Sequence, residues 1–191
     1  MKRNEFKADK PRSGFVSKLF LTQRQRAVLL KWSLYAVLLI ILSTVQDVFL
    51  SRVRLFGATT ELVPMCIFLI CLSEGAEQGS VFSLVAACLY LFSGTAAGYY
   101  SIVLITAAAI GVTLFRQSYL QKGFAASMLC TAAATLGYAF CIFLIGLFLE
   151  KTTGSRFVSH MLSALYTLVA APVLYPVVTG INSIGGEAWK E

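Results

Sequence analysis

The chain has 191 residues, 58% of them hydrophobic and 13% charged, with a formal net charge of +7. Globular chains run at about 45–50% apolar and about 25% charged, so this chain lacks the polar surface to cover a water-soluble core. Those figures exclude an ordinary soluble domain and point to the bilayer as solvent, with one all-α domain in it.

Met1 to Lys31 is the polar end. It holds nine Lys and Arg residues against Glu5 and Asp9. Positive charge ahead of the first apolar run predicts that this end stays in the cytoplasm. It does not read as a signal peptide: the apolar run begins late, runs long, and has no small-residue cleavage pattern after it. Residues 1–26 are expected to form a basic cytoplasmic segment, partly disordered or amphipathic. Phe15, Leu19, Phe20 and Leu21 alternate with Lys18, Arg24 and Arg26. That mixture suits a short basic helix on an anionic leaflet, or a solvated tail that only sets topology.

Residues 27–182 are expected to form a six-helix transmembrane domain, since a span takes about 20 residues. The first span runs from about Ala27 to Leu50 and is apolar until Gln46 and Asp47. The second starts near Glu61, with Pro64 in its first turn, where the missing N–H costs nothing. Its apolar core, Leu62 to Leu72, is short, so it spans by including its polar ends, or it tilts and is shielded by neighbours. Glu74 to Gly79 then turns the chain into the third span, Ser80 to Phe92. Ser93 to Gly98 leads into the fourth, Tyr99 to Phe115. The fifth runs from about Phe124 to Leu149. The sixth runs from about Phe157 to Ile181, with Pro172 and Pro176 on one face, which predicts a kink. Residues 183–191 form a short cytoplasmic tail.

The third and fourth spans read as a tight hairpin at the centre of the bundle. Gly75 and Gly79, Gly94 and Gly98, Ala107 and Gly111 are each four apart, as are Ala133 and Gly137 in the fifth span. Small residues at that spacing share a helix face and let backbones approach closely in lipid, although small residues are also common in membrane helices generally. With both termini inside, twelve Lys and Arg fall on the inner side and four on the outer, in keeping with six spans.

Few residues suggest chemistry. Asp47, Glu61 and His160 lie near outer span ends and form a candidate outward-facing polar site, or else the acids pair locally with Arg52 and Arg54. Glu74 and Glu77 are three apart, at the inner surface with Arg116 and Lys122; partner docking or pairing with Arg116 is expected of them. A lone histidine makes neither a metal site nor a triad. The five cysteines fall within apolar runs and read as small hydrophobes. Nucleotide-loop and zinc-protease motifs are absent, and no span carries a charge at its middle, which argues against an ion-coupled pump. No catalytic residue, cofactor, metal or nucleic acid is expected.

The layout resembles the MreD family of rod shape-determining proteins. The resemblance runs from about Gln46 to Ile181. It is carried by Gln46-Asp47 at the end of the first span, Leu55-Phe56-Gly57, and Glu61-Leu62-Val63-Pro64. Further carriers are Glu74 to Gly79, Gly94 to Gly98, and Ala170-Ala171-Pro172-Val173-Leu174-Tyr175-Pro176. Here Cys88-Leu89-Tyr90 stands where the family often has an aspartate, so no role tied to that aspartate carries over. The resemblance implies a non-enzymatic scaffold in the bacterial plasma membrane that works with MreC and, through it, with MreB and the RodA–transpeptidase pair. It also implies a six-helix fold similar to the substrate-binding S components of energy-coupling-factor transporters. Uptake of a vitamin or metal is therefore the alternative function.

Overall fold

The computed structural model describes residues 23–50, 52, 59–94, 96–119 and 123–184. The basic segment up to Thr22, Arg54, Lys122 and the tail after Ile184 lie outside the described residues. What is described is helical, with no strand. The helices are α1 (Gln23–Val45), α2 (Leu62–Glu74), α3 (Ala76–Phe92), α4 (Tyr100–Tyr119), α5 (Phe124–Phe148) and α6 (Phe157–Ile184). A π-helical turn, Gln46–Leu50, extends α1, and a 3-10 turn, Gly154–Arg156, precedes α6. Four segments are long and apolar enough to cross a membrane: Gln25–Leu50, Tyr100–Ser118, Phe124–Phe148 and Gly154–Ile184. α2 and α3 have 13 and 17 residues. At 1.5 Å per residue they reach about 20 and 26 Å, against about 30 Å of hydrocarbon.

The centre of the bundle is α2, not the α3–α4 hairpin. Every residue from Leu62 to Leu72 is buried. The other five helices surround it in the order α3, α4, α5, α6, α1, each packed on the next and on α2. The ring is loosest between α1 and α3, which meet through side chains: the Trp32 and Tyr35 rings on Phe82, and Gln46 on Tyr90. The physical reason α2 lies inside is its composition and length. It is apolar on all sides, and it is too short to satisfy both headgroup layers. The longer helices turn large apolar side chains outward, such as Ile40, Val103, Leu129 and Val169, as lipid-facing helices do.

A short helix sealed from water still has orphan N–H groups at its start and orphan C=O groups at its end. Neighbouring helices supply the partners. At the start of α2, the Glu61 N–H donates to Thr167 Oγ1 of α6 at 3.0 Å and the Val63 N–H to Gln46 Oε1 at 3.1 Å. Pro64 has no N–H to satisfy. At the other end, Arg116 of α4 donates from Nη1 to the Leu72 carbonyl at 2.7 Å, and Asn182 of α6 donates from Nδ2 to the Ser73 carbonyl at 3.1 Å.

These contacts also fix direction. Gln46 meets the start of α2 and Tyr35 meets its end, so α1 runs antiparallel to α2. Thr167 and Asn182 do the same in reverse for α6, which runs parallel to it. The start of α1 and the end of α6 therefore share one end of the bundle, joined by a 3.3 Å hydrogen bond from Lys31 to Asn182 Oδ1. α6 runs unbroken through Pro172 and Pro176.

The small residues divide into unlike groups. Gly75 alone joins α2 to α3, with φ 91° and ψ 174°, a backbone state that side chains resist. Gly79 lets α3 press onto α2: a Cβ there would sit 2.6 Å from Cys71 Sγ and 2.9 Å from Cys71 Cα. Gly94 and Gly98 have positive φ and shape the turn before α4 rather than pack helices. At Gly111 and Gly137 a Cβ would meet nothing within 4 Å. With Ala107 and Ala133 they line an apolar groove of about 340 Å³ between α4 and α5. The expected close approach through these pairs is therefore seen only at Gly79.

Candidate functional site: the open seam between α1 and α3

One face of α1 faces α2. Lys31, Tyr35, Leu39, Leu42 and Gln46 are all buried, at helical spacing. Three of the five are polar, and they hold the two ends of the seam.

At the end near the start of α1, Lys31 Nζ lies 2.6 Å from Glu74 Oε2. The Tyr35 hydroxyl donates to Glu74 Oε1 at 2.7 Å. A carboxylate and an ammonium out of water are tolerable only when paired and hydrogen-bonded, and both conditions hold here. Trp32, Tyr35 and Phe82 stack beside the pair, with ring centroids 5.4 to 5.9 Å apart, and this is where α1 reaches α3. At the opposite end, Gln46 accepts from Val63 and donates to the Tyr90 hydroxyl at 3.5 Å. Beside it, Ser43 Oγ donates to Asp47 Oδ2 at 3.4 Å.

Two adjoining grooves, of about 510 and 530 Å³, lie along α1 and α3 on either side of the Trp32–Phe82 contact, sharing Trp32, Phe82 and Val85. The first opens at Val28, Glu77 and Gln78; the second ends at Asp47 and Ser93. Val63 of α2 contributes to the floor of the second. The walls are apolar, and the charged residues that line them are Lys31, Glu77 and Asp47.

The sequence-predicted outward site divides in two. Glu61 and His160 line one pocket with Thr135, Tyr138, Ser163 and Thr167, of about 30 Å³, room for about one water. His160 Nδ1 is 3.0 Å from the Arg156 carbonyl, and its ring meets Phe143 edge-on. Asp47 is not in that pocket; it lines the seam. The inner cluster also differs from expectation. Glu74 pairs with Lys31 rather than with Arg116, whose guanidinium caps α2. Glu74 and Glu77 do not share a helix face, because Gly75 separates α2 from α3 between them. Of the expected partner contacts, Glu77 is exposed.

Sequence reasoning passed over Lys31, Tyr35, Thr167 and Asn182. For Lys31 a signal was present: it stands four residues before Tyr35, on the stripe that continues through Leu39, Leu42 and Gln46. Among the described residues no group of three or more His, Cys, Asp or Glu could hold a metal ion. All five cysteines are free thiols, and Cys66, Cys71 and Cys130 are buried. No protein-family model, curated protein or solved structure matches the chain.

Proposed function

We propose that this chain is a non-enzymatic scaffold subunit in a bacterial plasma membrane, acting in the elongation complex that builds the cell wall. It crosses the membrane six times with both ends in the cytoplasm. Its partners are MreC and, through it, MreB and the RodA–transpeptidase pair. The observation that carries the reading is the α1–α3 seam. Two apolar grooves left between α1 and α3, one on each side of the Trp32–Phe82 contact, are suited to protein association in lipid. The basic start of the chain and the family resemblance support the orientation and the choice of complex.

The outer polar pocket at Glu61 and His160 is too small to hold a vitamin. Small-molecule sites run to about 300–1,000 Å³. The pocket at Glu61 and His160 holds about 30 Å³. Co-purification from mild detergent tests the proposal. A stable complex with MreC or the wall synthases is the expected outcome. Nanomolar vitamin binding by the isolated chain, with no such complex, would place it among transporter S components instead.

A further inference from the structure

The pocket at Glu61 and His160 lies where α2, α5 and α6 meet, at the end of the bundle where α2 starts. It has room for about one water. What can enter is set by the hydrogens its walls have left to donate. Thr135 Oγ1 gives its hydrogen to the Thr131 carbonyl at 2.8 Å, and Thr167 Oγ1 gives its own to the Ser163 carbonyl at 2.8 Å. Ser163 Oγ donates to the Thr59 carbonyl. A hydroxyl has one hydrogen, so these three have only lone pairs left to offer. The Glu61 N–H is already given to Thr167, and Pro64, also in the wall, has none. His160 Nδ1 faces the Arg156 carbonyl, which only accepts. Nδ1 therefore carries the hydrogen, and Nε2 of the neutral ring is a lone pair. Among the described residues that line the pocket, the Tyr138 hydroxyl alone keeps a hydrogen free, and Tyr138 is 4% exposed.

A negative charge stands among these acceptors. The Glu61 carboxylate does not cap α2, and among the described residues no lysine, arginine or histidine pairs with it. A carboxylate drawn away from bulk water is costly without a partner, and the hydroxyl hydrogens beside it are spent elsewhere. A ring of acceptors around an uncompensated carboxylate calls for positive charge. Oxygen ligands suit a hard metal ion, and one carboxylate balances one positive charge.

We infer that this pocket binds one alkali-metal ion, sodium or potassium, held by the Glu61 carboxylate with hydroxyl oxygens of Thr135, Tyr138 and Ser163. The ion ties α2 to α5 and α6. The inference goes beyond the scaffold reading and does not rest on it.

The test is thermal unfolding of the full chain in detergent at about pH 8, where a carboxylate is ionised. NaCl or KCl replaces choline chloride at constant ionic strength, so that screening does not change. Choline is too large for the pocket. The melting temperature is expected to rise by about 4 °C when sodium or potassium reaches roughly ten times its dissociation constant. Glu61→Gln keeps the shape without the charge and should abolish the rise. Thr135→Val removes one ligand and should demand about tenfold more salt for the same rise. Glu77→Gln, at an exposed acid outside the pocket, should respond as the wild type does. No rise with either salt overturns the inference, and so does a full rise in Glu61→Gln. A rise with calcium alone overturns it too. A rise on acidification, with no response to either salt, assigns the pocket a proton and overturns the metal ion. If Glu61→Gln fails to fold, Thr135→Val decides, and an unchanged salt response there overturns the inference.

Discussion

Two parts of this bundle carry glycines at the spacing that favours close helix packing, and they behave in opposite ways. Where α3 crosses α2, Gly79 lies against Cys71 so tightly that a Cβ would meet the opposing backbone Cα at 2.9 Å. Between α4 and α5, Gly111 and Gly137 face a groove and have no neighbour within 4 Å of a Cβ. The difference is position relative to α2. A glycine is compressed where its helix is drawn onto the buried centre, and it is left free where two outer helices meet beside the lipid. Spacing permits an approach; the neighbour that supplies the contact decides whether it happens.

Substitutions can break this comparison. The largest effect is expected from Gly79→Leu. The added side chain meets backbone that cannot yield, and the cost should reach about 3 kcal/mol or more. Size-exclusion in detergent should show loss of the monodisperse species; wild-type behaviour would mean that α3 does not press on α2 as described. Next comes the polar fastening. Glu74→Ala leaves Lys31 buried without its carboxylate and should destabilise by about 3–5 kcal/mol, read from thermal or denaturant unfolding. The paired change Lys31→Met with Glu74→Leu removes both charges and should recover most of that loss. If the double variant is as unstable as the single one, the pair matters for more than mutual neutralisation.

A smaller effect is expected at the opposite end. Gln46→Leu removes the acceptor for the Val63 N–H inside a water-free site, at about 1–2 kcal/mol. The smallest, and of opposite sign, is Gly111→Ala or Gly137→Ala. A methyl group fits there without contact, and alanine favours a helix over glycine by about 0.5–1 kcal/mol. A modest rise in melting temperature is the expected result. A fall would show that α4 and α5 close onto these glycines in the membrane.

Much of the helix layout was legible from the residues. The six apolar runs coincide with the helices to within a few residues at most ends, and the turns at Gly75 and at Gly94 to Gly98 fall where small residues cluster. The shortness of Leu62 to Leu72 was legible too, and the neighbours do shield it, as one of the two readings expected. Its central place was not, because an apolar helix in lipid can face either lipid or protein without changing composition. The polar groups were harder for a related reason. Glu74 has two cations of suitable sign near it in space, Lys31 and Arg116, and nothing in their order along the chain says which one it meets. Asp47, Glu61 and His160 share a depth in the bundle but stand on different sides of α2, so depth alone grouped them wrongly.

The sequence alone determined that this chain is helical and suited to lipid, and it located each helix to within about a turn. Those properties follow from runs of apolar side chains and from glycine and proline, which act over a few residues. The tertiary structure alone decided that α2 is enclosed, that Lys31 rather than Arg116 neutralises Glu74, and that the ring of helices is loosest between α1 and α3. Those outcomes depend on which surfaces meet across the bundle, and an apolar face carries no label for its partner.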